Sequence, residues 1–263
     1  MLWLILVQFL YRLAFGLGMT MGLTSAKLVT SGFFRVHLWV LLGLNTFGAA
    51  VIYLLRLNFP NWQVMAAATA LTAFLSYVGA VCWLYEQAKA GRILIWFVTA
   101  LNFGLALSLE NQIGPNRTVW LNALEVLTSG SVIGFTFCAM LLGHWYLNTP
   151  TMQMLPLQRL VQGMMASTLV RAALCAFGFI LVFRNPELLQ AGATSVGKFA
   201  SAGLALRWLS GIVGLLVLAV MTWETLKIPN TQSATGILYV GVICVFLGEL
   251  TSQLLSASLP YPL

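Results

Sequence analysis

Eight long apolar runs follow one another along the chain and constrain its fold more than any other feature. They lie near residues 2–22, 35–55, 62–85, 93–109, 119–147, 159–183, 204–226 and 236–258. A bilayer core about 30 Å thick is crossed by roughly 20 apolar residues in an α-helix. A closed β-barrel would instead need shorter segments in which apolar and polar residues alternate. The pattern predicts an all-α, polytopic integral membrane helical bundle of about eight transmembrane helices.

The charge content leaves no stretch for a separate soluble domain. Only 7% of the 263 residues are charged, and 60% are hydrophobic. Ordinary soluble domains carry about 25% charged residues. We therefore expect one membrane-embedded domain over residues 1–263, surrounded by membrane lipids.

The breaks between the runs contain residues that end helices, namely Pro60, Pro115, Pro150, Pro186 and Pro229. The first run has no basic segment before it and no small-residue cleavage site after it, so we interpret it as a retained span rather than a signal peptide. The connection at 184–203 is long enough to hold structure of its own. It predicts either a short interfacial helix or a solvated loop.

Basic residues in the connections give an expected orientation. The connections that follow odd-numbered runs hold six of them: Lys27, Arg35, Lys89, Arg92, Arg159 and Lys227. The opposite connections hold four: Arg56, Arg117, Arg184 and Lys198. Because cytoplasmic loops carry the excess of Lys and Arg, we expect both termini on the outer side, in a bacterial inner membrane.

Several ionisable residues fall inside the runs, where each costs at least about 2.5 kcal/mol and needs a partner or a function. They are Arg12, Glu125, Arg171, Arg207 and Glu249. Helix rise places Arg12, Arg171 and Glu249 near mid-depth and the other two nearer the outer face. We therefore expect Glu249 to pair with Arg171 or Arg12, and Arg207 to pair with Glu125.

The charge count of this expected network allows two interpretations. Three arginines against two carboxylates would leave one positive charge for a proton path, an ion path or an anionic ligand. The alternative is that the pairs only hold the helices in register.

A second group of candidates lies at one membrane surface. His37 opens the second run and His144 closes the fifth, so the only two histidines share a membrane level, and Glu224 belongs to the same face. Trp145 and Tyr146 follow His144 in LLGHWYLNTP. A site here should depend on His144 more than on Tyr146.

Three interpretations of this surface group remain open. A quinone headgroup could bind His37 or His144 beside Trp145 and Tyr146, with Glu224 accepting a proton. The two histidines could instead ligate haem b, as imidazoles commonly do. The third interpretation is an ordinary interfacial belt of aromatic residues.

The sequence lacks other chemical motifs. Cys82, Cys138, Cys175 and Cys244 lie singly in apolar stretches, so they predict neither a metal site nor a disulfide. No phosphate loop, HExxH or GxSxG motif occurs, and no basic run indicates nucleic-acid binding. We expect no catalytic activity of the chain alone.

Small residues are spaced for close helix packing. Gly18 with Gly22 and Gly130 with Gly134 form GxxxG pairs, and Ser210, Gly211 and Gly214 give the seventh run a small face. These faces predict close contact within the bundle or with a neighbouring subunit.

Three functions are compatible with these features. The first is a scaffold or quinone-contacting anchor subunit of a larger electron-transfer complex, with other membrane subunits as partners. The second is a secondary transporter or channel that uses the buried arginines and glutamates. The third is a purely structural membrane protein.

Overall fold

A computed structural model of the chain describes residues 2–56, 59, 61–113, 118–149, 151–184, 199–228 and 230–257. The expected helix-ending prolines and residues 185–198 of the connection predicted at 184–203 lie outside these residues, as do Arg117 and Lys198 of the orientation argument.

The described residues form an all-α bundle, which confirms the predicted fold class. The helices are α1 (Leu2–Leu23), α2 (Ser31–Leu54), α3 (Trp62–Leu84), α4 (Ala88–Ile113), α5 (Val119–Asn148), α6 (Leu155–Phe183), α7 (Phe199–Trp208), α8 (Leu215–Lys227) and α9 (Thr231–Ser256). A π-helical segment, Leu209–Gly214, joins α7 to α8 without a break in helical backbone. Ala202–Lys227 therefore forms one membrane span, and eight helices of the described chain are long and apolar enough to cross a membrane.

Besides α7, which begins at Phe199 where the sequence predicts the seventh run from 204, four helices begin earlier than hydropathy alone indicates. They are α2, α4, α6 and α9, which start at Ser31, Ala88, Leu155 and Thr231. Their first turns contain polar and basic residues, such as Lys89, Arg92 and Arg159, that lower the local hydropathy. Long basic side chains can extend to the membrane surface while their backbone stays helical.

Helices α1 and α5 occupy the centre of the bundle. In each, 72% of the most apolar window is buried, compared with 28% to 44% in the other spans. In the first half of the chain, α1 packs on α4, α2 on α3 and α3 on α4; in the second half, α9 packs on α5 and α8, and α5 on α6. Contact between α1 and α5 joins the two halves.

Glycines permit this central contact. A Cβ atom on Gly16 would lie 2.0 Å from the carbonyl oxygen of Gly130, and one on Gly134 would lie 2.2 Å from the carbonyl oxygen of Gly16. The backbones of α1 and α5 therefore touch, as small residues allow in membrane helices. A similar approach joins Gly211 to Gly248, where a Cβ on Gly248 would lie 2.3 Å from the Cα of Gly211.

Candidate functional site

Six charged side chains from six helices form a continuous chain of ion pairs inside the bundle. In spatial order they are Glu110 of α4, Arg12 of α1, Glu125 of α5, Arg171 of α6, Glu249 of α9 and Arg207 of α7. Each side chain is at most 8% exposed. Negative and positive charges alternate along the chain, so every carboxylate contacts a guanidinium. We call these six residues the charge chain.

Arg171 links the two central carboxylates. Its Nη1 lies 2.6 Å from Oε2 of Glu125 and its Nη2 lies 2.7 Å from Oε1, which is the bidentate geometry that guanidinium favours. Its Nη2 and Nε also donate to Glu249, at 3.0 and 3.2 Å. The hydroxyls of Thr128 and Ser252 each accept a further bond at 3.2 Å. Arg171 thereby joins α5, α6 and α9.

Arg12 joins the first half of the chain to this centre. Its Nη2 lies 2.6 Å from Oε2 of Glu110, and its Nη1 lies 3.2 Å from Oε1 of Glu125. The amide of Gln8 donates to the same Glu110 oxygen at 2.8 Å and to the carbonyl of Ala106 at 3.0 Å. These bonds connect α1 to α4 and α5.

Arg207 ends the charge chain next to the π-helical segment. Its Nη1 lies 2.8 Å from Oε1 of Glu249, and its Nη2 lies 3.3 Å from the sulfur of Cys175. Ser129 of α5 donates to the other Glu249 oxygen at 2.6 Å. Glu249 therefore accepts hydrogen bonds from Ser129 of α5 and Arg171 of α6 and forms an ion pair with Arg207 of α7.

Two expectations about this network are wrong. Arg207 pairs with Glu249, whereas Glu125 pairs with Arg171 and Arg12. The expected surplus arginine is also absent from the charge chain, because Glu110 supplies a third carboxylate. Hydropathy ends the fourth run at 109, but α4 continues to Ile113 and carries Glu110 into the bundle. Arg171 and Glu249 do pair.

The charge chain can fix helices in place more readily than it can bind a free ion. Three guanidinium and three carboxylate groups cancel, and buried ions are stable only when they are paired and hydrogen-bonded. Breaking one link would leave an uncompensated charge where water is scarce.

The members of the surface group predicted from the sequence contact several different neighbours. His37 is only 4% exposed, and its Nδ1 donates to the carbonyl of Phe33 at 2.6 Å. The His37 ring packs on Phe33 and lies 6.3 Å, between centroids, from Trp145, whose indole N–H donates to Thr30 at 2.9 Å. His37 and Trp145 thus belong to the packing between α2 and α5.

His144 faces a different helix. Its side chain is exposed, and its Nδ1 lies 3.3 Å from the hydroxyl of Tyr239 on α9, which is 45% exposed. Sequence reasoning missed Tyr239, although α9 begins at the membrane face where α5 ends. The two histidines therefore contact different neighbours.

Glu224 and Tyr146 have local partners. Glu224 is 58% exposed in its side chain and bonds Lys227, one turn away on α8, at 2.5 Å. Tyr146 is 2% exposed, and its hydroxyl donates to the carbonyl of Gln153 in the connection to α6. These contacts give Tyr146 a structural position rather than a place in an open pocket.

We expect Tyr146→Phe to lower the free energy of unfolding by about 1–2 kcal/mol, because it leaves the Gln153 carbonyl without this donor. His144→Ala should change that free energy by less than about 0.5 kcal/mol, since the side chain is exposed. Chemical denaturation in detergent micelles, followed by tryptophan fluorescence, measures both. Equal destabilisation by the two variants would show that His144 is also part of the fold.

The four cysteines do not pair with one another. All four are free thiols, and no group of three or more metal-binding side chains occurs in the part of the chain that the structure describes. Cys175 is the one cysteine that contacts the charge chain, through Arg207.

The fold and the charge chain define a multi-pass helical membrane protein whose interior charges are mutually compensated. No family model, curated protein or solved structure matches the chain.

Proposed function

We propose that this protein is an integral membrane subunit that serves as the scaffold and anchor of a larger electron-transfer complex. The observation that carries the proposal is the charge chain, whose five consecutive ion pairs connect six helices. Such links favour one fixed arrangement of the bundle, and a fixed arrangement suits a platform for other subunits. The short connections among the described helices add little mass outside the membrane to perform chemistry alone.

The electron-transfer part of the proposal depends on His144 and Tyr239. Both side chains are exposed and lie 3.3 Å apart near one end of the bundle. An imidazole and a phenol can each exchange a hydrogen bond with a quinone carbonyl, and a site of this kind needs few polar groups. His37, Trp145, Tyr146 and Glu224 are engaged with other partners and contribute less to this version of the site.

Purification from the native membrane in mild detergent tests the scaffold role. We expect other subunits to co-purify at fixed stoichiometry, measured by mass spectrometry of the intact complex, together with a redox centre visible in the absorption spectrum. A monodisperse single chain without partners would contradict the proposal.

Titration of the purified protein with a short-chain quinone tests the His144–Tyr239 contact. Quenching of tryptophan fluorescence reports the dissociation constant of the quinone. We expect His144→Ala and Tyr239→Phe each to raise this constant about five- to tenfold, which corresponds to one lost hydrogen bond. Tyr85→Phe is the matched control, because Tyr85 is 73% exposed and follows α3 at the same end of the bundle. An equal loss in Tyr85→Phe would contradict a specific contact.

A second candidate function, an ion or proton pathway, is favoured by the π-helical segment Leu209–Gly214. It follows Arg207 directly, and π-helical turns within helices occur frequently at functional sites. Proteoliposomes with a trapped pH-sensitive dye test this candidate. Proton flux that Glu249→Gln abolishes in a folded protein would favour a pathway over a scaffold, whereas flux equal to that of empty vesicles would exclude a proton pathway.

A further inference from the structure

Two cavities lie along α6, and the larger one is lined by Thr128, whose hydroxyl also accepts a bond from Arg171 of the charge chain. The smaller, of about 70 Å³, lies where α1 ends and α6 begins, and Arg159 lines it. The larger, of about 300 Å³, lies deeper between α5 and α6. Phe135 lines both cavities. The two spaces therefore adjoin at Phe135, and we refer to them together as the path, which runs from the start of α6 toward the bilayer interior.

One stripe of α6 follows this path. Arg159 lies in the first turns of the helix, and Gly163, Ala166 and Val170 follow at spacings of four, three and four residues. Residues at such spacings share a helix face. The stripe spans about 16 Å from Arg159 to Val170 at 1.5 Å per residue.

The deep part of the path has an apolar character despite its hydroxyl groups. Ser131, Thr128 and Ser167 all line it, but each donates its hydroxyl proton to a backbone carbonyl of its own helix, at 2.6, 2.7 and 3.1 Å. Gly163 lets the ring of Phe135 lie against the backbone of α6, because a Cβ at this position would lie 2.3 Å from that ring. A hydrocarbon chain suits this wall better than a polar ligand does.

The shallow part of the path is basic. Arg159 is exposed and forms no ion pair with any residue that the structure describes. The segment Leu23–Leu28, which supplies the opposite wall, also carries the exposed Lys27. Basic pockets between transmembrane helices bind the headgroups of anionic lipids.

We propose that this path binds one anionic phospholipid, with the headgroup phosphate at Arg159 and one acyl chain in the cavity between α5 and α6. The cation at the membrane surface and the apolar cavity below it match the two ends of such a lipid. The occupant would fill the space between the two helices and cover Phe135.

Lipid retention measured by native mass spectrometry tests the proposal. The protein is reconstituted into vesicles of phosphatidylcholine and phosphatidylglycerol in equal amounts, extracted, and analysed for bound lipid. We expect the wild type to retain phosphatidylglycerol selectively. Arg159→Gln should reduce that preference about fivefold, while Arg159→Lys should keep most of it.

Two matched controls separate this site from general lipid contact. Arg92→Gln removes an exposed arginine near the start of α4, at the same end of the bundle, and should leave the preference unchanged. Ala166→Phe should fill the deep cavity and lower retention of both lipids, whereas Ala100→Phe, on an exposed face of α4, should not. Circular dichroism and gel filtration establish that each variant is folded.

Several results would overturn the proposal. Equal losses of preference in Arg92→Gln and Arg159→Gln would indicate diffuse surface charge. Unchanged retention in Ala166→Phe would show that no acyl chain occupies the cavity. Displacement of phosphatidylglycerol by an isoprenoid quinone added to the vesicles would identify a different occupant.

Discussion

Arg171→Met should lower the free energy of unfolding by about 3–5 kcal/mol, the cost typical of removing one partner from a buried ion pair. The substitution places an unbranched apolar side chain there and removes the guanidinium that bridges Glu125 and Glu249. Arg12 would remain with Glu110 and Glu125, which leaves one negative charge uncompensated. Equilibrium unfolding in mixed detergent micelles measures the change, and Arg92→Met at an exposed position is the control.

A double variant tests whether charge balance is the cause. In Arg171→Met with Glu125→Gln, two one-to-one pairs remain, Arg12 with Glu110 and Arg207 with Glu249. We therefore expect the double variant to be more stable than either single variant. Additive destabilisation would mean that Arg171 acts through packing rather than through compensation of charge.

Gly16→Ala should destabilise the bundle by about 3 kcal/mol or more, at the upper end of the usual cost of overpacking. The new Cβ would meet the backbone of Gly130 rather than a flexible side chain, so α1 and α5 would have to separate. Separation would also strain the bond between Arg12 and Glu125, which crosses the same contact. Thermal unfolding in lipid nanodiscs measures the loss.

Gly104→Ala is the matched control for this prediction. A Cβ on Gly104 would meet nothing within 4 Å, and the residue is exposed on α4. Alanine there should change stability by no more than about 1 kcal/mol, the usual difference in helix propensity. If Gly16→Ala were as stable as Gly104→Ala, the central helices would not be in backbone contact.

The number of helices could be predicted from the sequence because hydropathy reports the solvent that each segment meets. The starts of α4 and α6 could not be predicted in this way, because Lys89, Arg92 and Arg159 lower the local hydropathy without ending a helix. Glu110 was missed for the related reason that α4 extends past its apolar run. Hydropathy therefore located the helices better than it located their ends.

The members of the charge chain other than Glu110 could be identified from their depth, but their partners required the rotation of each helix. Depth suggested that Arg207 would pair with Glu125, while the helix faces bring Arg207 to Glu249. Helix rotation also explains why the adjacent residues His144 and Trp145 contact different helices. Adjacent residues on a helix point about 100° apart, so one meets Tyr239 on α9 and the other meets Thr30 before α2.

The order of charges along the charge chain has a consequence for how the protein is made. Arg12 and Glu110 both belong to the first four helices, and Glu125, Arg171, Arg207 and Glu249 belong to the remainder. Each group sums to zero. Because chains leave the ribosome N-terminal part first, α1 to α4 can enter the bilayer and close around a neutral pair before α5 is synthesised. The two groups of helices can thus insert one after the other, each with no net buried charge, and the ion pair between Arg12 and Glu125 then connects them.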